Sequence, residues 1–252
     1  MKREQIDLIA SYDDVIDLAR NEIQNQKHSG HLRDSYIRLI EAVAYCCSMG
    51  VKGDIVEFGC WTGNSSVVLA EVVRLFNEKN LRLENKLNYE KRLYFCDSFS
   101  GLPEISTEKD KDNLHVESGI WRKGAMTWHS AETLDNLIGQ ILASDKYKII
   151  KGYFSDTVRK EFKDHKIAMV NCDVDLYSST VDCLSPLFEM KSISEGCIIL
   201  FDDWNNSAAN PNLGQRAAFS KICEDFSVNY SDEGRYSYHG RAFIIHDYLA
   251  TV

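Results

Sequence analysis

Basic charge, long apolar runs and paired cysteines are what this sequence lacks. Its 29 lysines and arginines are outnumbered by 38 acidic residues, a net charge of −9. Nucleic acid and anionic membrane both need a basic face, so neither is expected as a main partner. Small anionic ligands, which a few local groups can hold, stay open. No stretch approaches the ~18 apolar residues of a membrane span. The opening MKREQIDLIASYDD turns acidic before any run long enough for a signal peptide. Glycine, at 14 residues, is too sparse for a collagen-like chain, and there are only three prolines. The eight cysteines form no CxxC pair, and Cys96, Cys172 and Cys197 sit in apolar runs. They read as reduced core thiols of a soluble, cytoplasmic protein. The histidines show no HExxH spacing and none is assigned as a ligand. Neither a GxSxG elbow nor a GxxxxGKS/T phosphate loop is present.

What is present is hydrophobic patterning. The chain is 44% hydrophobic, which excludes disorder. Its length gives one to two domains at about 150 residues each, with roughly 70–75% of the unfolded surface buried. Residues 1–50 read as a helical extension or cap. Val15, Ile16, Leu18, Ala19 and Ile23 recur at helical spacing, as do Tyr36, Leu39, Ile40, Val43 and Cys47, and Gly50 supplies a stop. From residue 51 to 252 the texture changes. Strand-length apolar runs at 54–59, 92–97, 147–154, 166–173 and 196–203 alternate with amphipathic segments. That alternation predicts an α/β fold with a mostly parallel sheet covered on both faces. Gly240 is placed to turn an antiparallel hairpin at the C-terminal edge. Residues 77–91 are polar and read as an extended surface connection. Residues 100–130, with His115, Trp121, Trp128 and His129, are too long for an ordinary connection and read as a lid. Residues 203–216 are a second gating loop.

Ligands of open α/β sheets bind at the carboxyl ends of the strands. The first strand runs into Glu57-Phe-Gly59-Cys60-Trp61-Thr62-Gly63-Asn64-Ser65-Ser66, where two glycines four apart precede a helix. They permit a tight turn and close backbone approach, and the helix start favours an anionic group. The second strand ends at Asp97-Ser98, a place where a carboxylate accepts both hydroxyls of a ribose. Two later strands end in Asp173-Val-Asp175-Leu-Tyr177 and in Asp202-Asp203-Trp204. On adjacent strands these carboxylates would crowd one rim, and a hard divalent cation such as Mg²⁺ relieves such crowding.

The pattern resembles the class I S-adenosylmethionine-dependent methyltransferases, whose sheet is Rossmann-like. More narrowly it resembles the macrocin O-methyltransferase family. IVEFGCWTGNSS, CDSFSGLPE, KGYFSDT, DVDLYSST and ILFDDW followed by QRAAF stand in that family's order between about residues 53 and 226. The resemblance implies that Glu57, Gly59, Cys60, Trp61, Gly63 and Ser65 line the methionine and ribose part of the cofactor. Asp97 would bind the ribose with Ser98 beside it, while Phe154 and Ser155 would flank the adenine. It further implies Asp173, Asp202 and Asp203 as Mg²⁺ ligands, with Asp173 and Asp175 at the chemistry and Asp175 as general base. Its expected partner is a small-molecule hydroxyl acceptor, a sugar or glycoside, and the expected assembly is a homo-oligomer.

Three other readings share these residues. DVDLYSS is similar to the DxDxT of haloacid dehalogenase-like phosphatases, though Tyr177 replaces the threonine and the motif comes late in the chain. A DxD glycosyltransferase would leave the glycine turn unused. A cofactor-binding protein that has lost methyl transfer would not need all of Asp173, Asp175, Asp202 and Asp203.

Overall fold

The protein is represented by a computed structural model, in which residues 16–21, 34–82 and 90–249 are described. Seven strands form one sheet in the order β3-β2-β1-β4-β5-β7-β6. β1 (Asp54–Phe58), β2 (Leu93–Asp97), β3 (Tyr147–Lys151), β4 (Ile167–Cys172) and β5 (Ile193–Phe201) are parallel. β6 (Asn229–Tyr236) and β7 (Gly240–Asp247) close the edge as an antiparallel hairpin. This is the expected mixed sheet. Gly240 begins β7, and residues 237–239 make the turn.

The near-continuous apolar strands are buried on both faces because helices cover both. One face packs on α1 (Asp34–Ser48), α2 (Asn64–Arg82) and α5 (Ala131–Ile138), around Ile40, Val43, Leu69, Phe76, Phe95 and Leu134. The other packs on α6 (Phe154–Glu161), α7 (Tyr177–Glu189) and α9 (Gly214–Phe226), around Phe58, Phe162, Leu184, Phe188, Phe201 and Phe219. Strand residues alternate between the clusters, Leu93 and Phe95 to the first, Tyr94 and Cys96 to the second. Seven cysteines are buried, Cys223 is half-buried, and none is in a disulfide.

The helical repeat expected from Val15 to Ile23 is helical at 16–21, and its remainder lies outside the described residues. Gly50, at φ +68, follows α1 as expected. The polar stretch 77–91 needs correction. α2 continues to Arg82, and residues 83–89 lie outside the described residues. No glycine or proline interrupts that stretch, and Arg74 pairs with Glu78 one turn on. Nor is it all surface. Asn77 is buried and exchanges two hydrogen bonds with the backbone of Lys91, its Nδ2 donating to the carbonyl and its Oδ1 accepting from the amide, each at 3.0 Å. Lys91 is 3% exposed, and its ammonium donates to the carbonyls of Val51 and Gly53, the latter at 2.8 Å. A buried cation thus satisfies the backbone entering β1. Lys91→Met would leave both carbonyls without that donor, at a cost of about 2–3 kcal/mol. The expected result is a lower urea midpoint at unchanged m-value.

Candidate functional site

Register builds the site. Phe58 stands opposite Cys96 and Cys172, and Cys172 opposite Phe201, so β1, β4 and β5 end at one level and β2 one residue beyond it, at Asp97. The ladder continues one hydrogen bond past each end. Gly59 donates to the carbonyl of Cys96 (2.9 Å), Asp173 to Phe58 (3.0 Å) and Asp202 to Cys172 (3.2 Å). Gly59, Asp97, Asp173 and Asp202 therefore share a rim, at the point where strand order reverses between β1 and β4. Gly59 has φ +85, and a Cβ there would stand 1.7 Å from the carbonyl oxygen of Asp173. No other residue fits so close a crossing.

A cavity of about 670 Å³ opens on this rim. On one side it is bordered by Gly59, Trp61, Asp97 and Ser98, with Phe154 and Ser155 from the start of α6. The Asp97 carboxylate accepts from the amides of Cys60 (2.8 Å) and Phe99 (2.7 Å), tying the first two strand-end loops together. Each oxygen keeps a further lone pair for a ligand hydroxyl. A second cavity of about 320 Å³ shares Trp61, Asp173 and Asp202 and reaches Cys60, Ser65 and Tyr36 of α1. Two expected cofactor residues border neither cavity. Gly63 instead lets the loop pass Leu134, whose Cδ1 would be 3.2 Å from a Cβ. Glu57 is wholly buried, hydrogen-bonded by the Ser66 hydroxyl and by Asn171 Nδ2 (3.0 Å). Burial pushes its carboxyl up to about 7 against those hydrogen bonds, which pull it down. It supports the glycine turn from below.

Asp173, Asp175, Asp202 and Asp203 come together at the cavity floor. Burial first, then repulsion from Asp202, Asp203 and Asp175, holds the Asp173 carboxyl well above the ordinary range. Asp175 is raised by burial and then by Asp203 and Asp202, and Asp203 is pushed up to about 7 by burial and Asp202. Relief at Asp203 comes first from the charge of nearby His239 and then from two neutral donors. Asp203 Oδ1 accepts from Asn206 Nδ2 (2.7 Å), and its Oδ2 from the amide of Asp175 (3.2 Å). Gln215, 1% exposed, clamps the floor, its Oε1 accepting from the Asp203 amide and its Nε2 donating to the Cys172 carbonyl, both at 2.9 Å. As donors, Asp173, Asp202 and Asp203 suit Mg²⁺, a hard cation that takes carboxylate oxygen. Their side chains are not drawn to a common point, and among the described residues no group of three or more His, Cys, Asp or Glu stands as a metal-binding set.

The long segment 100–130 is the cavity's roof. It carries two short helices, α3 (Glu108–Lys111) and α4 (Leu114–Glu117), and packs Leu102 and Trp121 on Leu176. Leu102, His115, Ile120, Trp121 and Met126 face the cavity. His115 stacks on Trp121 at 4.6 Å, and its Nδ1 is buried without a partner. The 203–216 segment adds Asn206, before a left-handed turn at 207–209 within α8 (Asn206–Ala209). Sequence reasoning passed over Tyr238 and His239 in the hairpin turn and Ser179 and Asp182 on α7, all of which border the cavity. His239 Nδ1 lies 3.6 Å from Asp202 Oδ1 and bonds its carbonyl. The register Phe201 to Arg241, which sets that turn beside Asp202, is not visible in residue spacing.

Residues 33–217 match the sequence profile of Macrocin-O-methyltransferase (TylF). The chain belongs to this family. Curated relatives include an 8-demethyl-8-(2,3-dimethoxy-alpha-L-rhamnosyl)-tetracenomycin-C 4'-O-methyltransferase of Streptomyces olivaceus, 27% identical over 176 residues. Another is the demethyldecarbamoylnovobiocin O-methyltransferase of Streptomyces niveus, 24% identical over 176 residues. Each match spans 67% of this chain and 60% of the relative. In fold, the chain is similar to the O-methyltransferase NovP, with a TM-score of 0.66, 20% identity and coverage of 85% and 80% of the two chains. The calicheamicin methyltransferase CalS11 gives 0.63, 19%, 92% and 91%. The TylF match ends just beyond Gln215 and Arg216, so Tyr238 and His239 lie outside it. Membership in this family sets aside the phosphatase and glycosyltransferase readings of DVDLYSS. Among the described residues no helix is long and apolar enough to cross a membrane.

Glu57 yields a pH prediction. Its folded value, about 7, lies above its unfolded 4.5, so between those values the native state binds more protons than the unfolded chain. Stability contributed by the neutral carboxyl is full below the unfolded value and is lost as pH rises through the folded one. Glu57→Gln is expected to lessen the fall in melting temperature between pH 4.5 and 8 relative to wild type. Identical slopes for the two proteins would contradict a neutral Glu57.

Proposed function

We propose that this chain is an S-adenosylmethionine-dependent, Mg²⁺-assisted O-methyltransferase acting on a hydroxyl of a sugar or glycosylated small molecule. The observation that carries the reading is one cavity with a nucleoside-type wall on one side and a floor of four aspartates on the other. Family membership and the rhamnosyl group in one relative's name support the acceptor class.

Each residue then has a task. Asp97 accepts the ribose hydroxyls with the lone pairs left by Cys60 and Phe99, and Phe154 and Ser155 border the adenine. The smaller cavity takes the methionine end, where Ser65 stands in the first turn of α2 and the helix start favours a carboxylate. The cofactor supplies a methyl already activated by its positive sulfonium. Mg²⁺, held by Asp173, Asp202 and Asp203, would supply positive charge that favours the ionised acceptor oxygen. Asp175, raised by burial and then by its neighbours, accepts the hydroxyl proton at a carboxylate oxygen. Trp121, Leu102 and Met126 exclude water from the acceptor side. Holding nucleophile and methyl in line is worth about 7–11 kcal/mol in favourable systems, and here that alignment is the protein's main contribution.

Calorimetric titration with S-adenosylmethionine and S-adenosylhomocysteine, with Mg²⁺ and with EDTA, tests the cofactor directly. Micromolar binding of both is expected, and no binding in either condition would end the reading. A screen of aryl glycosides for methyl transfer follows, with activity expected to vanish in EDTA and return with Mg²⁺. Asp202→Asn should lower transfer about a hundredfold or more while S-adenosylhomocysteine still binds. Equal loss of binding and transfer would remove the role given to the metal.

A further inference from the structure

A buried carboxylate ties the roof to the turn bearing Asp175. Asp110 on α3 is 1% exposed. It accepts hydrogen bonds from the amides of Tyr177 (2.6 Å) and Ser178 (3.2 Å) and from the hydroxyl of Thr107 (2.9 Å). Those amides open α7, whose own N-cap residue is Leu176, a side chain with no acceptor. The helix takes its cap from 67 residues earlier in the chain. Free amides and the helix dipole both favour a carboxylate there.

Other contacts reinforce the joint. Leu176 packs on Leu102 and Trp121, and the Lys109 ammonium lies 4.7 Å from the centre of the Tyr177 ring. Asp175, immediately before the cap, has φ +61, a conformation that non-glycine residues hold only where their surroundings fix it. Its surroundings do so from two sides, Asp203 taking its amide and Asp110 taking the amides two and three residues on.

We propose that Asp110 is a positioning residue for methyl transfer. By capping α7 from the roof it fixes the backbone of Asp175, so that the carboxylate is oriented only while the roof is docked. The inference rests on the reading of Asp175 as proton acceptor. It gives the roof a second task beyond shaping the acceptor wall. When the wall formed by Leu102 and Trp121 lifts, the base loses its orientation and the proton is not taken in an unroofed, wet site.

Hydrogen exchange followed by mass spectrometry on the full chain with S-adenosylhomocysteine tests the coupling without an acceptor. In Asp110→Ala, exchange over 100–126 and over 174–180 is expected to rise together, by about tenfold, with S-adenosylhomocysteine affinity held. Faster exchange in 100–126 alone would overturn the proposal. With 4-nitrophenyl α-L-rhamnoside as acceptor probe, kcat should fall about ten- to a hundredfold while KM moves little. Asp110→Asn, which keeps one accepting oxygen, should recover part of that loss. A raised KM at unchanged kcat, or a lower melting temperature with kcat per folded molecule unchanged, would reduce Asp110 to a structural role. Asp175→Asn separates the two ideas. Wild-type kcat in that variant would refute Asp175 as base, whereas the joint exchange response stands or falls by itself.

Discussion

The site depends on parallel register. Because β1, β4 and β5 end at one level and β2 one residue beyond, Gly59, Asp97, Asp173 and Asp202 are delivered to the same rim, and the loops must start within a few ångströms of one another. Gly59 is where this constraint is tightest. Its importance lies as much in clearance as in ligand approach, since the backbone of β4's exit passes through the space a side chain would fill. A one-residue slip of β4 would send the Asp173 side chain to the opposite face of the sheet. The buried apolar faces of Val56, Phe58, Val170 and Cys172 hold the register and thereby hold the chemistry.

Gathering carboxylates at that rim costs stability, because burial and mutual repulsion both oppose ionisation. Apart from His239 beside Asp202 and Asp203, the chain answers with amides and hydroxyls rather than with lysines or arginines: Asn206 and Gln215 at the floor, Asn171 and Ser66 around Glu57. Neutral donors orient the carboxylates without cancelling their charge. A negative field of this kind suits the positively charged ligands of the proposed function, a sulfonium and a divalent cation. A fixed arginine in the same place would satisfy the aspartates and leave nothing for the ligand to do. Elsewhere the protein does use a fixed cation. Lys91 beneath β1 donates to backbone carbonyls, where structure and not binding is at stake.

Much of this was legible in the sequence because strands buried on both faces announce themselves as unbroken apolar runs. All five parallel strands, the closing hairpin and the acidic strand ends follow from patterning alone. Segments whose structure depends on distant partners were not legible. Asn77 and Lys91 read as surface because their polarity is visible, while the backbone groups they satisfy come from elsewhere in the fold. The roof has little periodicity because two four-residue helices cannot show any, and it is held by single anchors such as Asp110 and Trp121. His239 enters the site through antiparallel pairing with β5, which depends on register. The Gln215 clamp lay within a recognised motif, yet its task appears only once Cys172 and Asp203 are side by side.

Backbone strain gives the same site a further unity. Trp61, Phe99, Asp175 and the run Ser207 to Ala209 all hold positive φ without being glycine, and all lie in loops that leave the strand ends or cross the cavity. Such conformations persist where surroundings over-determine them. The pins here are in large part carboxylates that border the cavity. Asp97 takes the amides of Cys60, next to Trp61, and of Phe99. Asp203 takes that of Asp175, and the hydroxyl of Ser207 takes the amide of Leu114 in the roof. Each carboxylate thus divides its lone pairs between a strained loop and the cavity. In the proposed function a ligand hydroxyl arriving at Asp97 would add to a group already shaping two loops, which would couple binding to loop geometry through shared acceptors. The coupling needs no large motion, because redistributing hydrogen bonds on one carboxylate is enough to bias the turn it holds.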